Sequence, residues 1–130
     1  MDRPTQKRIL IVEDDNVLAG MLKQSLEEAG FKVLHAKNGE EGKALATDGT
    51  RPDFLIVDID MPNMDGITML KMLRAEGVTT PAFIMTNFSQ TEHVADAAES
   101  DVLEYLVKAD WGIDQIVEKV KSRLALGQTA

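Results

Sequence analysis

In the stretch LIVDIDMPNMDG (residues 55–66), three apolar positions run into three aspartates: Asp58, Asp60 and Asp65. Ionised carboxylates are costly in a buried strand, so the first of them marks the place where the strand emerges. The same punctuation recurs along the chain. Glu13, Asp14 and Asp15 follow RILIV, Thr86 follows AFIM, and Lys108 follows YLV. Acids, a hydroxyl and an ammonium at four strand ends form a set more specific than any one member. Glu13, Asp14 and Asp58 brought together would repel one another unless a cation intervenes or a proton is retained. Carboxylate oxygens are hard ligands, suited to Mg²⁺ or Mn²⁺. The bland reading of an acidic run after a strand is a cap for the next helix, and for Asp15 that reading suffices.

The elements that must position these residues follow from periodicity. RILIV (8–12), FLIV (54–57), AFIM (82–85) and YLV (105–107) are short apolar runs of buried-strand type, whereas FKVLHA (31–36) alternates and suits an edge. Between them lie helical stripes: Leu18, Leu22, Leu26 and Ala29; then Ile67, Leu70 and Leu73; then Ile113, Ile116, Val117, Val120 and Leu124. A helix near 90–100 has the thinnest apolar face, formed by Val94, Ala97 and Ala98. Asn38 with Glu41, and Ser89 with Glu92, have capping-box spacing, and Gly30 and Gly77 stand where helices stop. Five β-α repeats imply a parallel α/β sheet covered on both faces, with ligands bound beyond the carboxyl ends of the strands.

At 130 residues the chain suits one domain, expected over 8–126 with polar tails at 1–7 and 127–130. No cysteine is present, which excludes disulfides, thiolate metal sites and cysteine nucleophiles. A net charge of −8 argues against a nucleic-acid surface and serves solubility. No apolar run is long enough to span a bilayer, and a reducing cytoplasm is the expected location.

ILIVEDD, DFLIVDIDMPNMDG, IMT and EYLVK, in that order and spacing, resemble the response-regulator receiver domain of two-component signalling from Arg8 to about Leu126. The resemblance implies a doubly wound, flavodoxin-like (βα)5 fold with strand order 2-1-3-4-5. It implies that Asp58 accepts a phosphoryl group, with Mg²⁺ (or Mn²⁺) held by Asp14 and Asp58 directly, by Glu13 through water, and by the backbone carbonyl of Asp60. The Asp60 carboxylate is then an extra charge beside the site. Lys108 would absorb charge on the phosphoryl oxygens, Thr86 would donate its hydroxyl to one of them, and Tyr105 would be an aromatic switch. A half-buried strand tyrosine explains Tyr105 equally well from the residues alone. Asp65 before Gly66 is read as a helix cap.

By the same resemblance the chain is a phospho-acceptor module rather than a turnover enzyme, catalysing only its own phosphorylation and dephosphorylation. The donor would be a sensor histidine kinase, a phosphotransfer protein or a small phosphodonor. The output would be a changed binding surface on the helix at 90–98, the strand at 103–107 and the last helix. As a single domain, monomeric or weakly dimeric, it would act on a separate downstream protein. An aspartate-nucleophile phosphatase of the haloacid-dehalogenase type, with D-x-D at Asp58 and Asp60, is the rival reading. Pro62 and the distance of the motif from the N-terminus count against it.

Three positions depart from the receiver pattern. Ala109 replaces the proline that usually follows the lysine, Asp101 stands at a turn position that is usually glycine, and Asn87 replaces a small apolar residue. With alanine, a cis Lys108–Ala109 bond would cost about 2.5–4 kcal/mol, so trans is expected. His35 and His93 are read as surface or cap residues without metal-ligand partners. Met61, Met64, Met69, Met72 and Met85 are read as core and loop filling, and Trp111 as a cover over the start of the last helix.

Overall fold

Alternation along β1 (Arg8–Val12) decides the layering, because successive side chains of a strand point to opposite faces. Ile9 and Ile11 pack on one side of the sheet, Leu10 and Val12 on the other, and all four are fully buried. The computed structural model describes residues 6–49, 51–61, 64–87 and 102–128, with side chains described as far as residue 124. β1 is followed by α1 (Asn16–Glu28), β2 (Lys32–Ala36), α2 (Gly39–Thr47), β3 (Phe54–Asp58) and α3 (Gly66–Ala75). Then come β4 (Ala82–Thr86), β5 (Glu104–Val107), a short 3-10 turn (Lys108–Asp110) and the C-terminal helix (Ile113–Gln128). That helix therefore continues into residues 127 and 128, which the sequence reading placed in a tail.

The strands form one parallel sheet in the order β2-β1-β3-β4-β5. The alternating β2 lies at its edge, as the pattern indicated. Ala19, Leu22 and Leu26 of α1 and Ile116, Val117 and Val120 of the C-terminal helix cover one face, where Phe54 and Phe83 meet edge-to-face at 4.7 Å. Ala46 of α2 and Ile67, Leu70 and Leu73 of α3 cover the other. Met61, Met69 and Met85 are buried as expected, but Met72 is not core: it lies on the outer side of α3, 37% exposed.

Local signals placed the helix ends. Asp15 caps α1, accepting from the backbone N–H of Val17 and Leu18, and Asp65 caps α3, accepting from Thr68. Asn38 caps α2 through Glu41 N–H, while the Glu41 carboxylate reaches back to Lys37 N–H. Gly30 and Gly77 adopt φ of 101° and 88°, the left-handed conformation that ends a helix. The Ser89–Glu92 capping box, the helix at 90–98, His93 and Asp101 lie outside the described residues.

Candidate functional site

β1 and β3 are neighbours, and the chain leaves them in opposite directions along the sheet, β2 lying beyond β1 and β4 beyond β3. This is the reversal point at which open α/β sheets bind ligands beyond the carboxyl ends of their strands. Val12 pairs with Val57 in register, so Glu13 and Asp58 emerge side by side as the first residue past one strand and the last of the other. Both side chains are buried, at 0% and 1% exposure, while Asp14 is exposed.

A carboxylate oxygen from each of Glu13, Asp14 and Asp58 lies within 4.8 Å of the others. The Lys108 ammonium, delivered from the end of β5, stands 3.0 Å from Glu13 Oε1 and 3.3 Å from Asp58 Oδ2. Glu13 Oε1 has no well-directed hydrogen bond despite that contact. Burial, and then the neighbouring Asp58 carboxylate, push the Glu13 pKa from its ordinary 4.5 up to about 8. Burial acts against the charged form of Lys108, but the bonds and charges of Glu13 and Asp58 outweigh it and raise its pKa. One ammonium and one retained proton thus relieve the crowding.

The remaining bonds set orientation. Asp60 N–H donates to Asp58 Oδ1 at 2.9 Å, and Asp15 N–H donates to Glu13 Oε2 at 3.1 Å. Thr86 is fully buried and donates its hydroxyl to Asp60 Oδ2 at 3.1 Å, and Asn87 N–H donates to the same oxygen at 2.8 Å. The Asp60 carboxylate is therefore not simply a spare charge: it fastens the end of β4. A hydrogen bond joins Tyr105 to Thr86, and partial burial raises the tyrosine's pKa. The described residues contain no cis peptide bond, so Lys108–Ala109 is trans. Trp111 is half-buried against the α1 side of the core, with Lys119 Nζ 4.7 Å from its ring centroid.

The sequence reading missed one member of this rim. His35 Nε2 lies 2.7 Å from the backbone carbonyl of Glu13. A carbonyl only accepts, so this nitrogen carries the proton. Glu13 N–H also donates to Ala36 O at 3.0 Å, so the end of β2 holds the Glu13 backbone from both sides. The available signal was a donor side chain one residue from the end of a strand adjacent to β1.

The hard-oxygen donor set and the buried, incompletely bonded Glu13 Oε1 make Glu13, Asp14 and Asp58 a cluster that could hold a divalent cation. The model of the response regulator receiver domain matches residues 9–121. The chain belongs to the response regulator receiver family. The receiver is 36% identical over 122 residues to the probable transcriptional regulatory protein SilR of Salmonella typhimurium, an overlap covering 94% of this chain and 53% of that protein. It is 32% identical over 120 residues to the transcriptional regulatory protein PrrA of Mycobacterium tuberculosis, covering 92% and 51%. The chain thus spans about half the length of these curated relatives. Among solved structures, a CheY-like receiver domain protein from Methanospirillum hungatei superposes with a TM-score of 0.86 at 26% identity, covering 93% of this chain and 95% of that one. The receiver domain of the Francisella response regulator 1452 gives 0.81 at 30% identity, covering 89% and 94%. Among the described residues no helix is long and apolar enough to cross a membrane.

Proposed function

We propose that this receiver accepts a phosphoryl group on Asp58, from a phosphohistidine of a sensor kinase or phosphotransfer protein, and passes the signal on by altering its binding surface. The observation that carries this is the company kept by Asp58. It is a buried carboxylate at a strand tip, 3.3 Å from an ammonium and among two further acids. An ordinary structural ion pair has no use for so much negative charge in one crevice.

In the reaction, an oxygen of Asp58 attacks phosphorus in line as the bond from phosphorus to the donor nitrogen breaks; the donor ring, protonated on its other nitrogen, takes the electron pair and leaves as neutral imidazole, and Asp58 carries an aspartyl phosphate. Asp60 N–H fixes the orientation of the attacking carboxylate. Lys108 shifts from its contacts with Glu13 and Asp58 to the phosphoryl oxygens, and Thr86 supplies a hydroxyl to another of them. Glu13, Asp14 and Asp58, with the Asp60 carbonyl, would hold Mg²⁺, which neutralises charge on the phosphoryl oxygens when bound. Hydrolysis of the same acyl phosphate resets the module, and this self-limited chemistry separates it from a turnover phosphatase.

The output surface we assign to β5, the C-terminal helix and the segment at 90–98, which lies outside the described residues. Glu104 of β5 pairs with Lys119 at 2.7 Å and Arg123 at 3.1 Å, so strand and helix are linked where Tyr105 reports on Thr86. The domain is proposed to span 8–126 and to work in the cytoplasm as a monomer or weak dimer. Its acidic surface suits a protein target better than nucleic acid. Any DNA recognition of the kind that the relatives' names suggest would belong to the part of those proteins not shared with this chain.

Intact-mass measurement with acetyl phosphate and Mg²⁺ tests the reading. One labile phosphoryl group should be added to wild type and none to Asp58→Asn. Equal labelling of the variant would refute the site.

A further inference from the structure

Two donors from the end of β4 converge on one oxygen of Asp60. Thr86 Oγ1 lies 3.1 Å from Asp60 Oδ2 and the Asn87 amide nitrogen 2.8 Å from it. Thr86 is fully buried, and its hydroxyl has a single proton to give. A hydroxyl already donated to a carboxylate cannot at the same time bind a phosphoryl oxygen. The Asp60 side chain is itself only partly buried, so water can receive it when it lets go.

We propose that Asp60 is a positioning residue: its carboxylate occupies, in the unphosphorylated receiver, the donors at the end of β4 that a phosphoryl oxygen on Asp58 must take over. The inference rests on the phospho-acceptor reading above and adds to it a built-in competitor. Carboxylate and phosphoryl oxygens are both anionic acceptors, so exchanging one for the other gains little in hydrogen bonding. What remains is the cost of freeing Asp60 and of leaving its charge two residues from a newly dianionic centre. Asp60 therefore opposes phosphorylation through Thr86 and Asn87.

Beryllofluoride with Mg²⁺, which forms a phosphoryl-like adduct on a carboxylate, is the probe. Its affinity is measured for wild type, Asp60→Ala, Asp60→Asn, Thr86→Val and the Asp60→Ala/Thr86→Val double variant, with thermal melts verifying folding. Asp60→Ala should bind about tenfold more tightly, the worth of one hydrogen bond to a charged group. Asp60→Asn should gain about threefold, because an amide oxygen still accepts from both donors but less strongly. On the Thr86→Val background the alanine gain should fall to about threefold, only the Asn87 N–H then being released. Mg²⁺ affinity without beryllofluoride should fall slightly in Asp60→Ala, since a negative charge has left the rim, so metal binding cannot supply the gain. Unchanged or weaker adduct affinity in Asp60→Ala, or an undiminished gain on the Thr86→Val background, would overturn the proposal while leaving the phospho-acceptor reading intact. A wild type that forms neither an adduct nor a phosphoprotein would overturn both.

Discussion

Lys108→Met removes an ammonium that stands 3.0 Å from Glu13 Oε1 and 3.3 Å from Asp58 Oδ2. At an effective dielectric of about 20, the contact with the ionised Asp58 represents roughly 5 kcal/mol of gross attraction. Desolvation of the ammonium opposes this, yet the pKa of Lys108 is raised on balance, so attraction wins. Breaking a buried pair by deleting one partner costs about 3–5 kcal/mol. Glu13 limits the loss, because with a pKa of about 8 it keeps its proton at neutral pH and leaves only Asp58 uncompensated. The expected destabilisation at pH 7 is therefore about 2–3 kcal/mol in metal-free protein.

The pH dependence carries a definite sign. The folded-state pKa of Glu13 is raised from 4.5 to about 8, so the stability it contributes is fully present below about 4.5 and is lost as pH rises through about 8. Lys108 holds that pKa down. Without it Glu13 retains its proton to higher pH, and the variant goes on losing stability where wild type has levelled off. Each pH unit past 8 adds up to about 1.4 kcal/mol to the deficit. Urea melts in chelator at pH 6, 7 and 9 should show a deficit that is largest at pH 9. A deficit below about 1 kcal/mol throughout, or one that shrinks as pH rises, would refute the assignment of Lys108 as the counter-ion of a shared acidic site.

Asp14→Ala should weaken Mg²⁺ binding at least tenfold by titration calorimetry while shifting metal-free stability by no more than about 0.5 kcal/mol, because Asp14 is the exposed member of the cluster. Gly66→Ala would drive its new Cβ into the Val57 side chain and to 2.5 Å from the backbone oxygen of Asp58, neither of which can yield without moving the end of β3. It should cost roughly 1–3 kcal/mol in a denaturant melt and slow labelling of Asp58, and a neutral result would show that β3 and α3 are not rigidly apposed.

Much of the molecule is legible in the sequence alone. The apolar runs ended at the strand ends or one residue short of them, the apolar stripes faced the sheet except at Ala29, which is the exposed C-cap of α1, and Asp15, Asn38 and Asp65 capped the helices their spacing assigned them. Gly30 and Gly77 stopped helices in the left-handed conformation. Each of these depends on residues within a turn or two, so the sequence contains the whole interaction. Parallel register then did the rest for Asp58, since a run of apolar residues ending in an acid fixes which residue stands at the tip.

Partner choice is a different matter. Lys108 lies between Glu13 and Asp58 because the strand order β2-β1-β3-β4-β5 puts three strand ends within reach of one ammonium, and residue spacing along the chain does not contain that order. The same holds for His35, whose bond to the Glu13 carbonyl exists only because β2 is paired with β1. Asp60 shows the limit most clearly. Its type and its place after β3 could be read, but whether its carboxylate faces solvent, a cation or the end of β4 depends on competing donors. The buried Thr86 hydroxyl and the adjacent, exposed Asn87 N–H supplied them, and only tertiary packing brings both donors to one oxygen of that carboxylate.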